Sequence, residues 1–351
     1  MLRKKVGLVS MGCVVALGLA ACSSSSDAGT KPASATTSMT FVSFGGAYQA
    51  AQKKAMSDPY AAANKITMNQ DGPTDYAKIK AMVEAGNVQW DVVDADPFFP
   101  IGNCDKYAEK LDFKVIDTSK MNKAFVSDCE VPSMTYSYVL MYNTKKYPNP
   151  PQDWHDFFDT TKFPGKRALQ NAAQGGGYEA ALLADGVPKD KLYPLDYARA
   201  EKKLNTIKKN LVFWDTGAQS QQMMEKGEVD MLLAWTGRGY NAVKNGATFA
   251  PQWNQNMAVY DVFIVPKGSK NKAAAMKFIA YATGAEAQAK LTEQIPYAPI
   301  NSDAKPKTDA LITSFLPTQP EVAGKGIVQD QQWWAKNQDA ATQKWTAWAA
   351  G

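Results

Sequence analysis

Histidine is nearly absent from this 351-residue chain, which contains His155 alone. A single histidine argues against histidine-ligated metal sites and against histidine-based catalysis. The four cysteines are too few for a disulfide scaffold and lack zinc-ribbon spacing. The sequence therefore predicts no metal site and no cofactor. Its 45% hydrophobic and 21% charged residues indicate a globular protein long enough for two domains.

A strong excess of charge of one sign is also lacking. The formal net charge is +5, but Arg3, Lys4 and Lys5 lie in a leader that we expect to be removed. The remainder carries 36 basic and 34 acidic residues. This near balance argues against nucleic-acid binding and against a polybasic membrane patch.

The one long apolar run covers residues 6–21. It falls short of the roughly 20 residues that span a bilayer as a helix, and its basic start makes residues 1–21 a predicted secretory signal. The sequence Leu19-Ala20-Ala21-Cys22 resembles a bacterial lipobox, which implies cleavage before Cys22 and lipid attachment to its sulfur. An uncleaved anchor helix and an ordinary secreted protein are the alternatives.

A polar segment follows the lipobox. Residues 23–38 contain no aromatic and no large aliphatic side chain, so they cannot bury enough surface to fold. We therefore predict that residues 22–38 are a lipidated cysteine and a flexible tether. The folded body begins near Met39 and is extracytoplasmic, held close to a bacterial membrane.

Two cysteines remain in the body after the leader is removed, Cys104 and Cys129. In an oxidising compartment two such cysteines most often pair, which predicts a disulfide. A reactive thiol is the alternative, but no histidine neighbours either cysteine in the sequence.

Strand-like runs alternate with helix-like runs along the body, a pattern typical of parallel α/β sheets. The Pro-rich segment 147–151 separates an early block from a middle block, so two lobes are expected. The predicted strands are residues 39–44, 66–69, 90–93, 211–214 and 229–235. The predicted helices are residues 47–65 with a break at Asp58-Pro59, a helix from Tyr76 that stops at Gly86, and residues 218–226 and 271–282.

Carboxylates and aromatic side chains follow the predicted strands. Asp94, Asp96 and Phe98 come after one strand, and Trp235 and Arg238 lie at the end of another. Ligands of open α/β sheets gather at the carboxyl ends of strands. The residues that follow the predicted strands include few nucleophiles. They therefore indicate a pocket that binds a small charged amine without forming covalent bonds.

Enzymatic motifs are incomplete. The S-x-x-K sequence at residues 269–272 lacks the companion motifs of penicillin-binding proteins. The three glycines at 175–177 are not followed by a P-loop lysine. Asp94 and Asp96 could serve glycosidase chemistry, but no second acid follows in a matching loop. We therefore expect a binding protein and not an enzyme.

Several stretches resemble the extracytoplasmic substrate-binding proteins of spermidine/putrescine-type ABC importers, over about residues 41–348. The resemblance implies an α/β fold of the two-lobed, type II-like periplasmic-binding-protein class, a hinged clamp that acts as a monomer and docks on a membrane permease. Its strongest stretches are residues 163–169, 179–187, 193–196, 217–220 and 265–268. The expected lobes are residues 39–140 with about 264–305, and residues 141–263 with about 306–351.

Two positions of this family carry over to the sequence. Trp235, in a W-x-G motif, corresponds to a tryptophan that stacks on the ligand, and Asp261 corresponds to an aspartate that pairs with a ligand amine. Further candidates after strands or in the cleft are Asp96, Phe98, Tyr48, Tyr76 and Tyr136.

Arg238 departs from the polyamine binders, which have a small residue there. A guanidinium in a dry cleft needs an anionic partner, so the pair of Arg238 and Asp261 favours a zwitterion. A γ-aminobutyrate-binding branch of the family is similar in having this Arg and Asp together. The alternatives are an internal salt bridge of Arg238 with Asp94, Asp96 or Asp261 in a polyamine site, and a surface lipoprotein with no role in transport.

Overall fold

A mixed β-sheet of nine strands runs through the structure, a computed structural model that describes residues 36–322 and 324–351. The predicted signal sequence and Cys22 lie outside the described residues. No helix in the described part of the chain is long and apolar enough to cross a membrane. The strands are β1 (Ser38–Val42), β2 (Thr67–Asp71), β3 (Val92–Ala95), β4 (Val131–Asn143), β5 (Arg167–Gln170), β6 (Leu211–Trp214), β7 (Met231–Trp235), β8 (Phe249–Ile264) and β9 (Ile327–Val328).

Helices cover the sheet. They are α1 (Gly46–Gln52), α2 (Asp58–Asn64), α3 (Tyr76–Glu84), α4 (Phe98–Asn103), α5 (Trp154–Phe158), α6 (Gly177–Ala184), α7 (Tyr197–Asn205), α8 (Gly217–Glu225), α9 (Thr236–Lys244), α10 (Lys272–Ala282), α11 (Ala285–Thr292), α12 (Ala310–Ser314) and α13 (Gln331–Ala350). A wide π-helical turn, Lys53–Ser57, joins α1 to α2.

The sheet has two parallel ends joined by two long antiparallel strands. Its order is β2-β1-β3-β8-β4-β7-β5-β6, with β9 beside β8. β1 is parallel to β2 and β3, and β5 is parallel to β6 and β7, whereas β4 and β8 pair antiparallel along most of their length. We call the part around β1–β3 the first lobe and the part around β5–β7 the second lobe. The prediction of purely parallel sheets was wrong because β4 and β8, which cross between the lobes, were not recognised in the sequence.

Most predicted elements lie within two residues of the observed ones, and two differences matter. β3 covers Val92–Ala95 and not residues 90–93, so Asp94 lies inside the strand and does not follow it. The predicted break at Pro59 is absent, because this proline occupies the first turn of α2, where a missing N–H costs no hydrogen bond. The chain stays helical through the π-helical turn instead.

The C-terminal helix α13 belongs to the core of the second lobe. The Trp345 ring packs edge-on against Tyr178 of α6, with 5.1 Å between centroids. A Cβ atom on Gly177 would lie 2.6 Å from the Trp345 ring, so only glycine allows this close approach. Trp334 and Trp345 are buried as a result.

A disulfide joins Cys104, at the end of α4, to Cys129, two residues before β4. It ties a loop of the first lobe to the long central strand. The 25-residue separation fixes the size of the loop that the bond closes in the unfolded chain.

Replacing both cysteines (Cys104→Ala with Cys129→Ala) should lower the free energy of unfolding by about 3 kcal/mol, because the unfolded chain regains the entropy of that loop. Urea denaturation of the two proteins under non-reducing conditions measures this difference. Equal free energies of unfolding would contradict the prediction.

Candidate binding cleft

Two aspartates meet where β3 and β8 end at the junction of the lobes. Ala95 pairs with Val262 in the antiparallel ladder, so the next residues, Asp96 and Asp261, come opposite each other. Asp261 is 2% exposed. The sheet register therefore brings together two carboxylates that are 165 positions apart in the sequence.

Aromatic side chains from β4 and β7 form one wall beside these carboxylates. Trp235 pairs with Tyr138 across the two strands, and Tyr136 lies two residues earlier on the same face of β4. The Trp235 ring is 6.4 Å from Tyr136 and 6.5 Å from Tyr138, measured between centroids. The indole N–H of Trp235 has no hydrogen-bond partner among the described residues.

Tyr297 adds a further ring from the loop after α11. Backbone hydrogen bonds between Thr135 and Ala298 hold this loop against β4. The Tyr297 ring lies 5.4 Å from Tyr136 and 4.9 Å from Tyr48. Burial raises the pKa of Tyr48 and of Tyr136 well above the usual value, so both remain neutral hydroxyls.

Arg238, in the first turn of α9, is fully buried beside this wall. Its Nη2 donates to the carbonyl oxygen of Gly45 at 2.9 Å, and the carbonyl oxygen of Phe44 is 3.5 Å away. Its Nε and Nη1 have no partner in the described part of the chain. None of the ion pairs among residues 36–322 and 324–351 includes Arg238. Burial lowers its pKa, since the charged form is desolvated.

A second buried arginine shows what a purely structural guanidinium looks like in this fold. Arg167, at the start of β5, is also 0% exposed. Its Nε donates to Phe157 O at 2.9 Å, its Nη1 to Gly165 O at 3.1 Å, and its Nη2 to Phe163 O. All three of its nitrogens are thus paired with carbonyls, whereas two of the three nitrogens of Arg238 are unpaired.

Two glycines make room for the Arg238 side chain. Gly46 has φ +58°, and a Cβ atom there would lie 2.9 Å from Arg238 Nη1. A Cβ atom on Gly217 would meet both Arg238 Nε and the Trp235 ring. Any other residue at these two positions would displace the guanidinium or the indole.

Asp94 lies nearby, but both of its carboxylate oxygens already accept hydrogen bonds from other side chains. Its Oδ2 accepts from Tyr48 Oη at 2.5 Å and from Gln52 Nε2 at 2.7 Å, and its Oδ1 accepts from Ser133 Oγ at 2.6 Å. Burial raises the pKa of Asp94 to about 6, although these hydrogen bonds favour the charged form. Asp94 therefore fixes the core of the first lobe and has little capacity left for a ligand.

Asp96 and Asp261 differ in the hydrogen bonds that their carboxylate oxygens accept. Asp96 Oδ2 accepts from Tyr76 Oη at 2.5 Å, and burial raises the pKa of Asp96 to about 6. Asp261 Oδ1 has no hydrogen-bond partner among the described residues. Burial raises the pKa of Asp261 well above the usual value, and the negative charges of Asp94 and Asp96 add to the effect.

A cavity of about 400 Å³ separates the lobes at this place. Its lining includes Phe44, Thr74, Tyr76 and Asp96 from the first lobe, together with Tyr138, Gln170, Thr216, Gly217 and Trp235. Arg238 and Asp261 do not line this cavity and are buried beside it: the Arg238 guanidinium carbon is 5.7 Å from the centroid of the lining Trp235 ring, and Asp261 lies opposite the lining Asp96. Unpaired guanidinium donors, an unpaired carboxylate oxygen and aromatic faces thus adjoin one cavity, and these are the groups that a small solute carrying both signs of charge requires. No cluster of three potential metal ligands exists among residues 36–322 and 324–351.

The structure brings together most of the residues expected at the site. Arg238, Asp261, Trp235, Asp96, Tyr76, Tyr48 and Tyr136 all lie at the junction of the lobes. Phe98 does not line the 400 Å³ cavity, because its ring packs 5.2 Å from Tyr76 under α4.

Sequence reasoning missed Phe44, Tyr138 and Tyr297. Tyr138 could have been found, since it lies two residues after Tyr136 and a strand places such residues on one face. Tyr297 carries no local signal, because only the pairing of its loop with β4 brings it to the cleft.

Known proteins resemble this chain along most of its length. The family described as "Bacterial extracellular solute-binding protein" matches residues 55–314. The gamma-aminobutyric acid-binding protein of Pseudomonas aeruginosa is 35% identical over 323 residues, which is 89% of this chain and 91% of the relative. The spermidine/putrescine-binding periplasmic protein 1 of Haemophilus influenzae is 24% identical over 284 residues, or 76% of each chain.

Solved structures also resemble this chain. The Atu4243-GABA receptor is 44% identical, has a TM-score of 0.81, and the match covers 89% of this chain and 97% of that one. The periplasmic binding protein AgtB of Agrobacterium tumefaciens R10, in complex with agropinic acid, is 37% identical with a TM-score of 0.84 and coverages of 90% and 99%. The predicted two-lobed periplasmic-binding-protein fold is confirmed.

The half-buried Asp96 predicts a pH dependence of stability for the ligand-free protein. Its pKa is raised to about 6 in the folded state, against roughly 3.9 in the unfolded chain. The folded state thus binds the proton on Asp96 more tightly than the unfolded chain does. The contribution of Asp96 to the free energy of unfolding is therefore full below about pH 4 and is lost as pH rises through 6. We expect Asp96→Asn to flatten the fall of melting temperature between pH 4 and pH 7.

Differential scanning fluorimetry across this pH range measures the slope. The matched control is Glu321→Gln, which removes an exposed carboxylate. If Asp96→Asn and the control show the same slope as the wild type, Asp96 does not titrate as predicted.

Proposed function

The chain belongs to the family of bacterial extracellular solute-binding proteins, and from this membership we propose that it captures γ-aminobutyrate or a related ω-amino acid for an ABC importer. The solute binds between the lobes and is delivered to the permease. The family description, extracellular and solute-binding, supports a role in capture outside the cytoplasm. Two relatives whose names carry γ-aminobutyrate or GABA support the choice of ligand.

The unpaired guanidinium of Arg238 is the observation that carries the proposal. Removing a charge from water costs several kcal/mol unless a partner repays it. No described residue supplies a carboxylate to Arg238, and only its Nη2 donates to a carbonyl. A carboxylate brought by the solute would accept from one of the two unpaired nitrogens, Nε or Nη1, and from the second N–H of Nη2, in the bidentate geometry that arginine favours.

Asp261 supplies the other end of the solute site. Its Oδ1, which has no partner among the described residues, is an acceptor for an ammonium group. The Trp235 ring lies at the Arg238 end of the site, with its centroid 5.7 Å from the guanidinium carbon, where it can pack against the alkyl chain of the solute. An ammonium would also lower the pKa of Asp261, since it stabilises the charged carboxylate. A short chain bearing ammonium and carboxylate at opposite ends satisfies both groups at once.

A polyamine such as putrescine or spermidine is the second candidate ligand. Two buried carboxylates, Asp94 and Asp261, and the half-buried Asp96 favour a cation. Asp94 is saturated by internal hydrogen bonds, however, and a second ammonium near Arg238 would be repelled. The lower identity to the spermidine/putrescine-binding relative agrees with this ranking.

The described conformation supports a closed clamp. Arg238, on the second lobe, donates across the cleft to Gly45, on the first lobe. The TM-score is 0.84 to AgtB with its bound solute but 0.64 to the Agrobacterium tumefaciens C58 protein AttC, described as open and unliganded. The arrangement of Arg238 and Asp261 is therefore that of a protein closed around its solute.

The remaining features follow from the same role. We propose that Cys22 carries the lipid anchor, that residues 22–38 tether the body to the membrane, and that the protein acts as a monomer. The lobes comprise residues 39–140 with about 264–305, and 141–263 with about 306–351. A surface lipoprotein without a transport role would bind none of the solutes tested below.

Titration calorimetry with three matched solutes tests the ligand. γ-Aminobutyrate should bind more tightly than butyrate, which lacks the ammonium, and more tightly than putrescine, which has an ammonium in place of the carboxylate. The reason is that each analogue leaves Asp261 or Arg238 unpaired in the closed cleft. Tight binding of putrescine without binding of γ-aminobutyrate would reverse the ranking.

Replacing the guanidinium tests its role. Arg238→Ala should weaken γ-aminobutyrate binding by about 3–5 kcal/mol, or roughly two to four orders of magnitude, since the solute carboxylate would be buried without a partner. The matched control is Arg199→Ala, which removes an exposed arginine paired with Asp185 on the surface of the second lobe. The assigned role is wrong if the dissociation constants of both variants equal that of the wild type.

A further inference from the structure

The tryptophan-rich helix α13 is fixed to the second lobe by specific contacts. Trp334 Nε1 donates to Glu179 Oε1 at 3.1 Å, and Trp348 Nε1 donates to Asn205 Oδ1 at 2.8 Å. Trp345 fills the space above Gly177 described earlier. The helix cannot leave the second lobe without exposing three indole rings, so the two must move together.

The opposite face of α13 touches the first lobe at α4. A Cβ atom on Gly102 would lie 3.1 Å from the carbonyl oxygen and 3.7 Å from the Cβ atom of Ala335. Among residues 36–322 and 324–351 no side-chain hydrogen bond or ion pair joins α13 to the first lobe, whereas several join it to the second. We call this contact of α13 with α4 the seam.

The seam is closely packed at Gly102 and Ala335 but leaves a cavity along its edge. A cavity of about 610 Å³ lies along it, lined by Tyr76, Phe98 and Phe99 of the first lobe and by Gln338 and Asp339 of α13, among others. Because no hydrogen bond or ion pair among the described residues crosses it, the seam can separate without leaving polar groups unpaired, and its closing would bury Phe98 and Phe99, which are 5% and 2% exposed. The seam therefore has the properties of a contact that forms and breaks.

The seam also adjoins the binding cleft. α4 begins two residues after Asp96, and the ring of Tyr76 stacks on Phe99 at 4.8 Å while its hydroxyl donates to Asp96. Tyr76 lines both the cleft and the cavity of the seam. Movement of α4 relative to α13 would thus coincide with movement of the cleft wall.

We propose that α13 is a clasp, a second closing contact that travels with the second lobe and meets α4 only when the lobes close. The clasp stabilises the closed state from outside the cleft and so increases the apparent affinity for the solute. This inference rests on the proposed capture of a solute by lobe closure. It also accounts for the tryptophans of the C-terminal segment, which anchor the clasp.

A disulfide across the seam tests the clasp. The 3.7 Å separation of the Cβ positions at Gly102 and Ala335 lies within the range of about 3.5–4.5 Å that a disulfide requires. The oxidised pair Gly102→Cys with Ala335→Cys should lock the lobes closed. The matched control is Gly102→Ser with Ala335→Ser, which has nearly the same shape but cannot form the bond, and peptide mapping verifies that Cys104–Cys129 is retained.

Two measurements test whether the oxidised pair locks the lobes. Without any solute, small-angle X-ray scattering should show a smaller radius of gyration for the oxidised cysteine pair than for the serine pair. With γ-aminobutyrate, stopped-flow tryptophan fluorescence should show uptake slowed by at least about tenfold, because the locked protein cannot visit the open state.

Three outcomes would overturn the clasp. They are a cysteine pair that does not oxidise, scattering curves that coincide for the two pairs, and equal rates of uptake. The scattering comparison contains no solute, so it tests the clasp even if the wild type fails to bind γ-aminobutyrate. That failure would instead count against the proposed function.

Discussion

A buried guanidinium without a carboxylate partner is the constraint around which this binding cleft is organised. Arg238 is as buried as the structural Arg167, yet two of its nitrogens are unpaired where Arg167 satisfies all of its own with carbonyls. An unpaired buried charge destabilises the conformation described. Under the proposed function a solute carboxylate would relieve that cost, so closure would be favourable mainly with the solute inside.

The sheet explains why the two charges face one cleft. The long strands β4 and β8 cross between the lobes, and Asp261, near the carboxyl end of β8, lies at the junction. Arg238 follows β7 on the second lobe, and its contact with Gly45 links the lobes directly. Asp94, saturated by Tyr48, Gln52 and Ser133, supports the wall from behind. A lobe movement thus changes the cleft and the seam together.

Local sequence patterns predicted some parts of the site and not others. Trp235, Arg238 and Asp96 follow strands that have clear patterns, so their place at the cleft could be predicted from the sheet rule. Phe98 also follows a strand, but it begins α4 and its ring turns toward Tyr76 beneath that helix. Tyr297 reaches the cleft through a loop that pairs with β4, a long-range contact that no local pattern encodes.

The sequence by itself determined the α/β alternation, because it depends on residue type and on short-range spacing, and its resemblance to a known family gave the two-lobed fold. That Arg238 and Asp261 together favour a zwitterion is a prediction from the sequence. Only the tertiary structure decided that the sheet is mixed, that Asp94 is internally satisfied while Asp261 and Arg238 have unpaired atoms, and that the C-terminal tryptophans anchor a helix reaching the other lobe. Hydrogen-bond satisfaction and contacts between distant segments depend on how the whole chain packs, and no stretch of sequence carries that information alone.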